Sequence, residues 1–190
     1  MPTHIALLRG INLGGRNKVA MADLRVLVAG LGHTDVTTYI QSGNVLFTAA
    51  GAAPDPVVMA EEMTAAIAAK LGVTSPVIIV PRGELAQIIA ANPFPDEPEP
   101  KRVHAVVLSQ QPWPELAARI DTALAQAQAK GSADEIQAIG RTLYLHTPAG
   151  YGNSDLAQLL LRVVHAPKVG GTGTARNWAT MTKLLSMCEA

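Results

Sequence analysis

The stretch "VTTYIQSGNVLFT", residues 36–48, decides how the rest of the chain is read. Two runs rich in β-branched and aromatic residues flank the polar "SGN", which is the pattern of a β-hairpin. Its neighbours give it meaning. Upstream, "HIALL" (4–8) reads as a short buried strand closed by the Arg9–Gly10 turn. Between them Leu24, Leu27, Val28 and Leu31 fall at helical spacing, and "GLGHT" ends that helix. Downstream of Pro54 and Pro56, "VVMAEEMTAAIAAKLG" is an alanine-rich helix stopped at Gly72, and "SPVIIVP" is the next strand. The order is β-α-β-β-α-β, the split ferredoxin-like arrangement.

A short helix near 83–91 leads into "NPFPDEPEPK", whose prolines and acids mark a linker. The pattern then restarts. "RVHAVVL" is a strand, and "PELAARIDTALAQAQAK" a helix with Leu116, Ile120 and Leu124 on one face. "DEIQAIG" and "RTLYLHT" form a second hairpin turning at Gly140, and "SDLAQLLLRVVH" carries the stripe Leu156, Leu159, Leu160 and Val163. Where a closing strand is due, the chain has "APKVGGTGTARNW" and a further helix to about Leu185. The expected fold class is α+β, with two tandem ferredoxin-like (βαββαβ-type) subdomains. Residues 1–82 form the first, 83–100 the short helix and Pro/acid-rich linker, and 101–190 the second with its extra C-terminal helix.

Composition narrows the function classes. At 190 residues and 48% hydrophobic, the chain has ample material for a core. Fifteen basic and fifteen acidic residues cancel, so any electrostatic preference is local rather than that of a bulk nucleic-acid coat. Aromatic content of 4% argues against a base-stacking platform. A single cysteine, Cys188, excludes an internal disulfide and a cysteine-based zinc site. No signal-peptide pattern opens the chain and no apolar run is long enough for a bilayer, so the expectation is a soluble cytoplasmic protein without a membrane partner.

The readable chemistry lies in "RGINLGGRNK", residues 9–18. Gly10 to Asn17 is G-x-x-x-x-G-R-N, close to a Walker A loop and likewise set between strand and helix. Arg16 in place of lysine can hold phosphate, but Asn17 lacks the hydroxyl that magnesium needs. A P-loop also belongs to a mostly parallel sheet, and here a hairpin follows the first helix. A simpler anion site fits better: backbone N–H groups freed by glycine, with Arg9, Arg16 and Lys18 adding charge. The competing reading is a turn whose glycines only satisfy backbone demands and whose basic residues are solvated. A second segment, "KVGGTGTARNWATMTK" (168–183), has the same character. Gly170, Gly171 and Gly173 lead to Thr174 as a helix cap, with Arg176 and Asn177 in the first turn. The candidate ligand-binding residues are therefore Arg9, Asn12, Gly14, Gly15, Arg16, Lys18, Arg176 and Asn177.

Four segments in order, "IALLRGINLGGRNKVAMADLR", "YIQSGNVLF", "LYLHTPAGYGNSDL" and "GTARNWATMTKL", resemble the domain-of-unknown-function family 1697. The resemblance runs from Ile5 to Leu184 and implies a bacterial-type α+β protein of two ferredoxin-like halves with no established activity. It also implies lysine at the positions of Arg16 and Asp155, proline at Ala20, and "RNWNTV" where this chain has "RNWATM". Arg16 keeps the charge, whereas Asp155 reverses one and Ala179 loses an amide.

Other chemistry is thin. His4, His33, His104, His146 and His165 have no metal-ligand spacing, and His4 and His104 read as satisfied core or edge groups. Ser154 reads as the cap of the leucine-rich helix, with Tyr151 projecting from the turn before it. Trp178, Met181 and Leu185 read as core, and Cys188 as a small hydrophobe. No serine-hydrolase elbow and no persuasive acid pair are present, so no nucleophile or base is assigned and no cofactor or metal is expected. Three functions remain open. The first is a binding module for a phosphate-bearing ligand, a nucleotide or short nucleic acid. The second is a protein-interaction or structural module, and the third an enzyme of unidentified reaction.

Overall fold

The first half of the chain runs β1 (His4–Leu8), α1 (Met21–Gly30), β2 (Thr34–Tyr39), β3 (Asn44–Thr48), α2 (Pro56–Leu71) and β4 (Val77–Pro81). The structure is a computed structural model that describes residues 1–52, 54–112, 114–164 and 171–189. The four strands form one antiparallel sheet in the order β2-β3-β1-β4. Local chemistry sets the boundaries of α2. Asp55 caps it by accepting a hydrogen bond from the Val57 N–H at 2.7 Å, Pro56 fills the first turn, and Gly72 ends it with a left-handed φ of 66°. Leu24, Leu27 and Val28 of α1 and Met59, Met63 and Ile67 of α2 pack on Ala6, Leu8, Val45, Phe47, Val77 and Ile79. Burial of each large side chain there contributes about 1.5–3 kcal/mol. The alternate residues Ile5, Leu7, Leu46, Ile78 and Val80 are buried too, so β1, β3 and the edge strand β4 all read as continuous apolar runs.

The second half continues with α3 (Arg82–Ala90), β5 (Val103–Leu108), α4 (Pro114–Ala129), β6 (Glu135–Ile139), β7 (Thr142–His146), a single 3-10 turn (Tyr151–Asn153), α5 (Asp155–Val164), β8 (Gly173–Asn177) and α6 (Trp178–Glu189). Its antiparallel sheet has the matching order β6-β7-β5-β8. Val106, Leu108, Leu143 and Leu145 face α4 and α5, whose Leu116, Ile120, Leu156 and Leu160 close that core. Ser154 caps α5 as expected, its Oγ accepting from the Ala157 N–H at 2.8 Å while donating to the buried Asp134 at 2.7 Å.

The "GTARNW" segment corrects the sequence reading. Thr174 is not a helix cap, and Arg176 and Asn177 are not in a helical first turn: Gly173–Asn177 is β8, the closing strand, paired along β5. The strand has little apolar pattern of its own, and pairing with β5 imposes its conformation. Gly173 is required by close packing, since a Cβ there would lie 2.7 Å from Val164 Cγ1 and 2.9 Å from Leu108 Cδ2. The helix starts at Trp178, and its cap is the Asn177 side chain, which accepts from the Thr180 N–H at 2.9 Å. Along α6, Met181, Leu184 and Cys188 are fully buried, whereas Trp178 and Leu185 are only partly so. Gly170 and His165 lie outside the described residues.

The chain divides into two compact units, one of Met1–Gln87 with Thr182–Ala190 and the other of Ile88–Met181. The division falls within α3 rather than through the proline-rich segment, and residues 182–190 group with the first unit instead of the second.

Candidate anion-binding site

The loop from Arg9 to Ala20 leaves β1 pinned on both sides. The Leu8 N–H donates to Gly43 O at 2.8 Å, the Arg9 N–H to Pro76 O at 3.1 Å, and Ser75 Oγ to Arg9 O at 2.7 Å. Buried Ile11 and Val19 anchor its two ends. Between them the chain makes a miniature hairpin. The Asn12 N–H donates to Asn17 O at 3.0 Å and the Arg16 N–H to Leu13 O at 2.9 Å, leaving Gly14 and Gly15 as the turn. Both turn residues have positive φ, 53° and 80°, as a primed hairpin turn demands. An anion-cradling nest needs residues of alternating hand, so Gly14 and Gly15 supply a turn rather than a cradle.

Asn12 is the keystone of the neck. Its Nδ2 donates to Val19 O at 3.0 Å and to Gln41 O at 2.9 Å, and its Oδ1 accepts from the Val19 N–H at 2.9 Å. The Gln41 bond ties the loop to the β2–β3 turn. Asn17 donates from Nδ2 to Gly10 O at 2.9 Å, so its amide closes the loop. Both asparagines adopt left-handed φ, 54° and 49°, which asparagine tolerates better than most residues. The Walker comparison ends here, because β1 has only antiparallel neighbours and Asn17 is spent on the loop itself.

Of the sequence-predicted site residues, the loop gathers Arg9, Asn12, Gly14, Gly15, Arg16 and Lys18. Arg16 and Lys18 are exposed, and among the described residues neither makes an ion pair. Arg9 is half-buried at the base, where burial lowers the pKa of a guanidinium that stays charged. Leu13 projects at the tip, 64% exposed.

Arg176 and Asn177 belong to the other unit. Arg176 is buried on β8, with Nη1 donating to Thr174 Oγ1 and Ala175 O, both at 2.8 Å. Burial pushes its pKa down to about 10, which leaves it cationic at neutral pH.

The structure corrects the reading of His104 as a satisfied group and gives His146 a setting that the sequence did not show. His104 is buried but not satisfied: its Nδ1 has no hydrogen-bond partner, and its ring stacks on Tyr151 with centroids 4.1 Å apart. Burial drives its pKa down to about 4, so it is neutral at pH 7. Tyr151 therefore covers a histidine rather than simply projecting. His146 sits between two carboxylates, those of Glu97 and Glu135. Neither contact follows a sequence motif, since Glu97 lies in the linker and Glu135 on the neighbouring strand. Among the described residues no cluster of histidine, cysteine and acid groups has the makings of a metal site, and no helix is long and apolar enough to cross a membrane.

Residues 1–144 match the family described as protein of unknown function, DUF1697. The chain belongs to the DUF1697 family. The matched span includes the basic hairpin and stops before "GYGNSDL" and "GTARNWATMTKL". No curated protein matches this DUF1697 chain. Among solved structures it is similar to conserved bacterial protein SP0830 from Streptococcus pneumoniae, at 21% identity over 98% of each chain with a TM-score of 0.66. At that identity the likeness concerns the fold alone.

Proposed function

We propose that this DUF1697 protein binds a phosphate-bearing ligand through the basic hairpin of residues 9–18. Arg16 and Lys18 contact the phosphates, Arg9 adds charge at the base, and Asn12, Gly14 and Gly15 hold the shape. The observation that carries this reading is two exposed cations, without ion-pair partners among the described residues, on a loop stiffened at its neck by Asn12. Cations on a projecting tip suit the extended backbone of a short single-stranded nucleic acid. A mononucleotide is more often held in a concave pocket. For Arg176 and Asn177, their internal hydrogen bonds support a structural role.

The test is fluorescence anisotropy with a short single-stranded RNA across a salt series. Binding should weaken with salt, and Arg16→Ala with Lys18→Ala should flatten the slope of log K against log salt by about 0.7 for each cation removed. Arg176→Ala should leave that slope unchanged. An unaltered slope in the Arg16/Lys18 double variant would remove the hairpin from the interface. Exposed Leu13 supports a second reading, a protein partner seated on the same tip. That reading predicts binding sensitive to Leu13→Ala and insensitive to salt.

We further infer that each sheet with its helices is a ferredoxin-like unit, supported by the repeated strand order and by helices following the first and third strands. We place the protein in a bacterial cytoplasm. The streptococcal relative supports the first part, and a lone cysteine that needs no oxidising compartment is consistent with the second.

A further inference from the structure

Helices α4 and α5 lie side by side in the second unit and leave a surface groove of about 300 Å³ between them. Ala123, Leu159 and Val163 form its apolar floor, and Arg119 of α4 and Arg162 of α5 supply a guanidinium from each wall. On the α4 side the groove is lined by the small Ala123 with Arg119, Thr122 and Gln126 around it. Ala123 and Ala127 are buried against α5 without filling the furrow beside Leu159 and Val163, which stay partly exposed.

Among the described residues no acidic side chain lines the groove and neither arginine makes an ion pair. Arg119 even has Glu115 one turn earlier, the favourable i,i+4 order for a helical pair, yet lines the groove without pairing to it. An anionic group seated between the two guanidinium groups would be attracted by both and would offset their mutual repulsion.

We propose that this groove docks an acidic–aliphatic segment of a partner protein. Leucine-type side chains sit on Leu159 and Val163, and Asp or Glu side chains meet Arg119 and Arg162. A partner segment is favoured over a small ligand because the volume is at the lower limit of small-molecule sites, which usually enclose most of their ligand. An apolar strip walled by two cations instead complements one face of an amphipathic helix. The groove is independent of the basic hairpin, and its failure would leave that reading untouched.

The test uses the full chain with methyl groups labelled for NMR. Three probes are titrated: an end-capped helical peptide with Glu on both sides of a Leu pair, the same peptide with Gln for Glu, and octanoate. The Glu peptide should shift the methyls of Leu159 and Val163. Arg119→Gln and Arg162→Gln should each weaken it about fivefold, as for partly exposed ion pairs, and the Gln peptide should bind correspondingly less. Both arginines are exposed, so the variants should fold normally. Equal binding of the Glu and Gln peptides, or no shift at these methyls, overturns the proposal. Octanoate binding as tightly as the Glu peptide at the same methyls also overturns it, in favour of a small-anion pocket.

Discussion

His146 has a carboxylate at each ring nitrogen, with Nε2 2.7 Å from Glu97 Oε2 and Nδ1 3.1 Å from Glu135 Oε1. Carboxylates only accept, so both contacts are hydrogen bonds only when the ring is the doubly protonated imidazolium. Burial lowers the pKa of His146, but the bonds and charges of Glu97 and Glu135 outweigh it and the net shift is upward. The Glu97 carboxyl is held low by the Glu99 backbone N–H, then by His146, with Arg102 adding charge. The signs of linkage follow. The histidine's contribution to stability is full below its unfolded pKa and is lost as pH rises through the raised folded value. The glutamate's is full above its unfolded pKa and is lost as pH falls through the lowered one. The melting temperature should therefore exceed that of His146→Gln most between those limits, in mildly acidic solution, with the difference shrinking on both sides. A constant difference across pH 4 to 9 would show that the clamp acts through packing alone, for instance against Phe94. Asn12 offers a second test at this scale. Asn12→Ala removes three hydrogen bonds and strands the Val19 N–H, and denaturant titration should register a loss of about 1–3 kcal/mol.

The β2–β3 turn shows how an element can be over-determined. Ile40 adopts φ 49°, a left-handed conformation that costs a β-branched residue about 1–3 kcal/mol. The turn holds it there. Asn44 Nδ2 donates to Tyr39 O and Ser42 Oγ, both at 3.0 Å, and Asn12 grips Gln41 O. Next to it, a Cβ on Gly43 would lie 2.7 Å from Leu8 Cβ and 2.8 Å from Ile11 Cδ1, at φ 78°. Two substitutions should thus move stability in opposite directions. Ile40→Asn should raise the melting temperature by relieving strain, and Gly43→Ala should cost about 1–3 kcal/mol from overpacking alone. Which elements could be read from residues alone follows from the same physics. "NVLFT", "VIIVP" and "RVHAVVL" declare themselves because strands buried on both faces must be apolar on both. "GTARN" does not, because its strand character comes from pairing with β5 and from the tight approach of Gly173. The basic rim of the hairpin was equally legible in its composition. The role of Asn12 was not, because its partner Gln41 stands 29 residues away and nothing in the intervening chain advertises the bond.

At the scale of the whole molecule, this DUF1697 member repeats one sheet order in two units, and the last turns of α6 belong with the unit that contains β1. Leu184 and Cys188 are fully buried there, and burial raises the Cys188 thiol pKa as expected of an inert core sulfur. Removing residues 182–190 should weaken the first unit selectively. In native-state hydrogen exchange, protection should fall in β1, β3 and β4 and persist in β5 and β7. Uniform loss of protection would mean that the two units unfold as one. The same feature bears on how the chain comes into being. Domains usually mature in the order in which the ribosome emits them, the N-terminal one first. Here residues 88–181 are complete while the first unit still lacks its last helical turns, so the unit begun first is finished last. A chain cut before Thr182 would hold every residue of the second unit and an incomplete first one, a vectorial order opposite to that of its strands.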